Sequence, residues 1–128
     1  MGYYFAKTIQ SSFDDAVSRT REALKAEGFG VITEIDVQMT LKTKIDVNFR
    51  PYLILGACNP AMAYQALQVE DKVGTMLPCN VVVQERSEGT VEIAAVDPVA
   101  SMQAIENPML HEKAVAIAGK LRHALDLI

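Results

Sequence analysis

Two cysteines are the residues best suited to chemistry in this chain of 128 residues. Cys58 closes a predicted strand and opens a predicted helix in Cys58-Asn59-Pro60, and Cys79 opens a strand directly after Pro78. A thiol just ahead of a helix N-terminus gains thiolate character from the helix dipole. If the two strands are neighbours and these ends point the same way, the thiols approach each other. Such a pair can bind a soft metal ion, carry sulfur or cycle through a disulfide.

Simple packing is the competing interpretation of both cysteines, because free cysteine is among the most buried residue types. The 20 residues between Cys58 and Cys79 rule out a C-x-x-C motif. No second pair is present to complete a zinc site. A structural disulfide is the least favoured of the three, since disulfides are rare in the cytoplasm. Packing, a ligand or redox role for at least one thiol, and a disulfide all stay open from the sequence.

The remaining candidates for chemistry are weaker. His111 and His123 lie on the last predicted helix, about 18 Å apart at 1.5 Å per residue, and cannot bind one metal ion. The six methionines are spread along the chain, which favours gap filling in the core over a copper(I) thioether site. No phosphate-binding, metalloprotease, serine-hydrolase or kinase motif is present. The sequence therefore leaves open whether the protein is an enzyme, and which cofactor or metal it takes.

Composition sets the class of protein. Half of the residues are hydrophobic and 22% are charged, which is typical of a folded globular chain, and the length predicts one domain over residues 1–128. A net charge of −4 without a basic stripe argues against nucleic-acid binding and against anionic membranes. No signal-like N-terminus and no apolar run of roughly 20 residues is present. We expect a soluble, cytoplasmic protein with free thiols.

Start and stop signals predict an α+β fold in the order β-α-β-(α)-β-α-β-β-α. Asn59-Pro60, Asp97-Pro98 and Asn107-Pro108 each place a good N-cap before a proline that suits the first helical position. Gly28 ends the first helix, and Ser87-Glu88-Gly89 turns residues 79–96 into a hairpin. Pro51 predicts that the third strand lies at a sheet edge or begins there. Tight hairpins favour a two-layer structure, an antiparallel sheet with helices packed on one face.

Two segments resemble the signature of a known family. The stretch PYLILGACNP at 51–60 and the stretch LPCNVVV at 77–83 look like the two cores of domain of unknown function family 302. The resemblance extends over nearly the whole chain. It implies a small α+β protein of the general shape of the TATA-binding protein, often a homodimer, with no established activity. The resemblance implies that six positions of this chain correspond to the core of the family motif: Cys58, Asn59, Pro60, Leu77, Pro78 and Cys79.

Three functional hypotheses follow. We favour a small homodimeric module that binds a small molecule or a soft metal ion in a pocket with Cys58 and Cys79 at its rim. The alternatives are a thiol-based redox or sulfur-carrier protein that uses Cys58 or Cys79, and a structural or interaction protein with no chemistry of its own.

Overall fold

A computed structural model describes residues 2–128 and contains one five-stranded antiparallel sheet. The elements in chain order are β1 (Tyr4–Gln10), α1 (Phe13–Ala26), β2 (Gly30–Asp36), α2 (Val37–Ile45), β3 (Tyr52–Cys58), α3 (Pro60–Val69), a 3₁₀ turn (Asp71–Met76), β4 (Cys79–Ser87), β5 (Thr90–Val96), α4 (Pro98–Ser101) and α5 (Pro108–Asp126). The predicted α+β class and element order are confirmed. The 3₁₀ turn and the short helix α4 add to the predicted order.

Helix starts follow the predicted capping chemistry. The side chains of Asn59, Asp97 and Asn107 each accept a hydrogen bond from a backbone N–H in the first turn of α3, α4 and α5. Asp36 caps α2 in the same way and accepts from the N–H of Met39. These bonds satisfy backbone donors that have no partner within the helix. Gly28, with φ of 86°, occupies the left-handed position after α1 that glycine adopts at low cost.

The spatial order of the strands is β1-β5-β4-β3-β2, so β3 lies between β4 and β2. Pro51 was predicted to lie at a sheet edge or at a strand start, and the structure has it at the start of β3, a central strand. Pro51 directly precedes β3, where its missing N–H removes no bond from the ladder. Its carbonyl accepts a hydrogen bond from the N–H of Glu85 at 3.0 Å. The edges of the sheet are β1 and β2.

The main core lies between one face of the sheet and the helices α1 and α5. Alternate residues of the three central strands point into it: Leu53, Leu55, Ala57, Val81, Val83, Val91, Ile93 and Ala95. Lys7 of β1 also points to this side, and its Nζ donates to the carbonyl oxygens of Leu125 and Ile128. The C-terminal carbonyls of α5 carry partial negative charge, which favours a cation there. No helix among residues 2–128 is long and apolar enough to cross a membrane.

The opposite side of the sheet, which we call the open face, lies away from α1 and α5. Across its middle, the register aligns one small or aliphatic residue from each strand: Ala6, Ala94, Val82, Ile54 and Ile35. The neighbouring row is polar, with Thr8, Glu92, Gln84 and Tyr52 paired from β1 to β3. The open face is thus apolar in the middle and polar towards the hairpin of β4 and β5.

Candidate functional site

The two cysteines lie at the same end of two neighbouring strands. β3 and β4 are antiparallel neighbours, so the end of β3 at Cys58 lies beside the start of β4 at Cys79. Ala57 is the direct partner of Cys79, and Cys58 is the next residue, the last of β3, whose side chain points to the opposite face of the sheet by strand alternation. Both cysteines line one cleft of about 20 Å³. The cleft therefore has room for about one water-sized atom or ion.

The two thiols differ in burial. Cys79 is 4% exposed and belongs to the main core, whereas Cys58 is half-buried, and both are free. Loss of solvation on burial, and to a smaller extent the charge of the neighbouring Cys58, raise the pKa of the Cys79 thiol from the ordinary value of 9.0 to about 11. Cys79 is consequently a neutral thiol at neutral pH. It is poorly suited to act alone as a nucleophile.

Three of the four supporting residues of the motif, Asn59, Leu77 and Pro78, line the cleft with the thiols. Asn59 caps α3 through its Oδ1, which accepts from the N–H of Met62 at 3.2 Å, and Pro60 occupies the first turn. Leu77 and Pro78 line the cleft from the approach to β4, and the peptide bond between them is cis. The N-terminus of α3, the positive end of the helix dipole, thus begins directly after Cys58.

Met62 is a further cleft residue that the sequence analysis did not single out. It brings a third sulfur-bearing side chain to the same cleft as Cys58 and Cys79. The available signal was its position four residues after Cys58, which across a helix start corresponds to about one turn. In the described part of the chain, residues 2–128, no group of three or more Cys, His, Asp and Glu side chains could hold a metal ion. A metal ion at this site would therefore depend on the sulfur atoms.

The histidines do not join this cleft. His123 Nδ1 lies 2.8 Å from Glu27 Oε2, and the ring of His111 contacts the carbonyl of Ile105. These contacts hold the two rings at separate places, as the spacing on the last helix predicted.

The raised pKa of Cys79 predicts slow alkylation. In the Cys58→Ser variant only Cys79 remains, and at pH 8 we expect it to react with iodoacetamide about 100-fold more slowly than in the urea-unfolded protein. The ratio of the thiolate fractions for pKa values of about 11 and 9.0 gives this factor. The variant keeps the desolvation, which is the larger cause of the raised pKa, and loses the charge of Cys58, while steric shielding of the buried thiol slows the reaction further. The rate of modification is measured by mass spectrometry between pH 7 and 11.

The same pKa fixes the sign of a pH effect on stability. Because the folded-state value lies above 9.0, the buried thiol contributes its full stability below pH 9 and loses it as the pH rises to about 11. The alkylation rate should therefore still increase between pH 9 and 11. A rate that levels off at pH 9, as for an unfolded thiol, would contradict the assignment.

Known proteins match the chain over nearly its full length. The family described as "Domain of unknown function DUF302" matches residues 5–128. The crystal structure of an uncharacterized conserved protein DUF302 from Bacillus stearothermophilus is similar with a TM-score of 0.92 and 31% sequence identity, over 99% of this chain and 98% of that chain. No curated protein shows significant similarity to the sequence. The match confirms the family resemblance of the two signature segments.

Proposed function

Because this chain belongs to the DUF302 family, whose description assigns no activity, we propose a function from its own residues: it binds one soft metal ion, copper(I), between Cys58 and Cys79. The observation that carries the proposal is that two free thiols from neighbouring strands line a single cleft of about 20 Å³. A site of this size takes an ion and excludes organic molecules, whose pockets measure about 300–1,000 Å³.

The donor atoms select the metal. Thiolate and thioether sulfur are soft ligands that favour copper(I), and Met62 supplies the thioether beside the two thiols. Zinc is less suited, because its structural sites hold four ligands of the nitrogen and sulfur type. The described residues 2–128 offer no third Cys, His, Asp or Glu to this cleft.

Charge balance also favours copper(I) at this position. Binding replaces two S–H bonds by two metal–sulfur bonds and releases two protons, so that the bis-thiolate complex carries one negative charge. The start of α3 directly after Cys58 places the positive end of a helix dipole beside that charge. The positive charge of the metal ion offsets the cost of burying the Cys79 thiolate, which otherwise keeps this thiol protonated.

A thiol redox or sulfur-carrier function is less well supported. Such a role needs an accessible thiol of lowered pKa, whereas Cys79 is 4% exposed and its pKa is raised to about 11. Cys58 would have to act as the carrier, with Cys79 as a buried neighbour.

The test is an anaerobic titration of the fully reduced protein with copper(I) in the presence of a competing chelator of known affinity. We expect one ion per chain, a higher melting temperature because the ion binds the folded state, and joint protection of both thiols from alkylation. Binding of copper(I) without protection of the thiols would place the ion elsewhere. Absence of binding would refute the proposal.

We further propose that two copies of the chain pair through the surface formed by β2 and α2, in the reducing cytoplasm where both thiols remain free. Large apolar side chains are exposed along this surface: Ile32, Ile35, Met39, Ile45 and Val47. β2 is an edge strand, whose outer side leaves backbone N–H and C=O groups without ladder partners. A second copy can cover both features across a twofold axis.

If two copies pair in this way, charged substitutions in the contact surface should separate them. The double variant Ile35→Glu, Met39→Glu should be monomeric, because it places two carboxylates in the contact on each copy. Sedimentation equilibrium measures the mass, and Val115→Glu on α5, equally exposed but on another surface, is the matched control. A wild-type protein that is monomeric at 100 µM or above, on the order of concentrations that populate weak dimers, would refute the pairing.

A further inference from the structure

The open face carries a second, larger cleft that is separate from the cysteine cleft. Its volume is about 410 Å³, within the range of small-molecule sites. Val82, Ala94 and Val96 form an apolar floor, and Tyr3, Tyr4 and Tyr52 stand at its sides. The shape and the aromatic walls suit an organic ligand with an apolar body.

Glu92 is the one lining residue of this cleft that is charged at neutral pH. Within residues 2–128 its carboxylate makes no salt bridge, and the side-chain hydrogen bond that it accepts comes from Gln84 Nε2 at 3.2 Å. A partly buried carboxylate without a cationic partner attracts a positively charged group of a ligand.

Neither nearby arginine contacts Glu92 directly, because both bind the other end of Gln84. Arg50 Nε and Arg86 donate to Gln84 Oε1 at 2.9 and 3.2 Å. With its oxygen held by the two guanidinium groups, the amide of Gln84, 8% exposed, must present its Nε2 to Glu92. The irregular register at the end of β4, between Glu85 and Ser87, is where Arg86 lies.

The aromatic walls add a second attraction for a cation. Tyr3 and Tyr4 are arranged edge to face with ring centroids 5.0 Å apart, and both are exposed towards the cleft side of the sheet. Tyrosine rings attract ammonium groups through their negative faces. An anionic ligand placed against Glu92 meets its negative charge.

From these contacts we propose that the open-face cleft binds an organic ammonium ligand with an apolar or aromatic body, its charge on Glu92 and its body over Val82, Ala94 and Val96. The inference does not depend on the copper(I) site, since Cys79 lies in the core on the other side of the sheet.

Three matched probes test the proposal: phenethylamine, the neutral 2-phenylethanol and the acidic phenylacetate, each titrated into the protein and followed by NMR chemical shifts of the open-face residues. We expect the amine to bind at least about tenfold more tightly than the alcohol, and the acid to bind most weakly. Equal affinities of amine and alcohol, or no shift with either, would overturn the proposal.

Glu92→Gln and a control variant test whether the carboxylate of Glu92 binds the ammonium group. Glu92→Gln keeps the shape of the side chain and should abolish the preference for the amine while leaving the affinity for the alcohol unchanged. Glu88→Gln, an exposed residue of the hairpin turn, makes the same change in net charge and should have no effect. Tyr4→Leu should weaken amine binding through loss of the aromatic wall. Equal losses in Glu92→Gln and Glu88→Gln would show a general charge effect and no site.

Discussion

Replacing Gly56 with alanine is expected to lower the free energy of unfolding by about 3 kcal/mol, the upper end of the range for overpacking. Gly56 lies in β3 between Asn80 of β4 and Thr33 of β2. A Cβ at this position would overlap the hydroxyl of Thr33 and lie 2.7 Å from Cγ of Pro78. The proline ring cannot rotate away, so the strands or the approach to β4 must shift. Urea denaturation, with the midpoint compared at an unchanged slope, measures the loss.

Gly30→Ala is the matched control, since Gly30 lies in β2 opposite Cys58 and an added Cβ meets nothing within 4 Å. We expect it to leave the free energy of unfolding unchanged or to raise it by about 0.5 kcal/mol, because alanine lowers the conformational entropy of the unfolded chain. Combining Gly56→Ala with Thr33→Ala should restore stability only in part, because Pro78 still blocks the new methyl group. Equal effects of the two glycine variants would show that the crowding at Gly56 does not exist.

The helices and the hairpin could be predicted because their signals are local. Asn or Asp followed by Pro satisfies the first backbone donors of a helix and fixes φ within two residues, and each such pair starts a helix at Pro60, Pro98 and Pro108. The two-residue Glu88-Gly89 connection joins β4 to β5, with Gly89 at φ of 77°. Such features depend on neighbours in the sequence and need no knowledge of the tertiary structure.

The imperfect alternation of β1 shows where local patterns fail. A strand at the edge of a sheet with its inner side on a core is expected to carry apolar residues there, yet Lys7 points inwards between Phe5 and Ile9. The explanation lies over 100 residues away, in the carbonyl groups at the end of α5 that accept from Lys7 Nζ. No window of sequence around β1 contains that partner.

Both candidate sites depend on the pairing of strands, which is not a local signal. The approach of Cys58 and Cys79 required the strand order, which the sequence left conditional. The open-face cleft was missed because Glu92, Gln84 and Tyr52 are solvated polar or aromatic residues in three separate segments. Only the register of β3, β4 and β5 places them in one row. Side chains that share a sheet face across strands are set by pairing, which a single sequence does not contain.

Removing either thiol is expected to lower the affinity for copper(I) by more than about 100-fold, since loss of a residue that only supports a metal ligand already costs about 10- to 100-fold. Cys58→Ala and Cys79→Ala each leave one thiolate, which cannot form the bis-thiolate complex. Met62→Leu conserves volume and removes the thioether, so we expect a smaller loss of about tenfold. Met109→Leu, on the exposed side of α5, is its matched control. Competition against a copper(I) chelator measures each affinity.

The pH dependence of that affinity separates a metal site from simple packing. Cys79 must lose its proton to bind, and because its pKa is raised to about 11, the proton is displaced at every pH below that value. Each pH unit between 7 and 9 should therefore raise the apparent affinity about tenfold through Cys79. The Cys79→Ala variant should lose the part of the pH dependence that Cys79 contributes, whereas Met62→Leu should retain it. If the thiols only pack, the alanine variants will change the urea midpoint and leave copper(I) binding as weak as in the wild type.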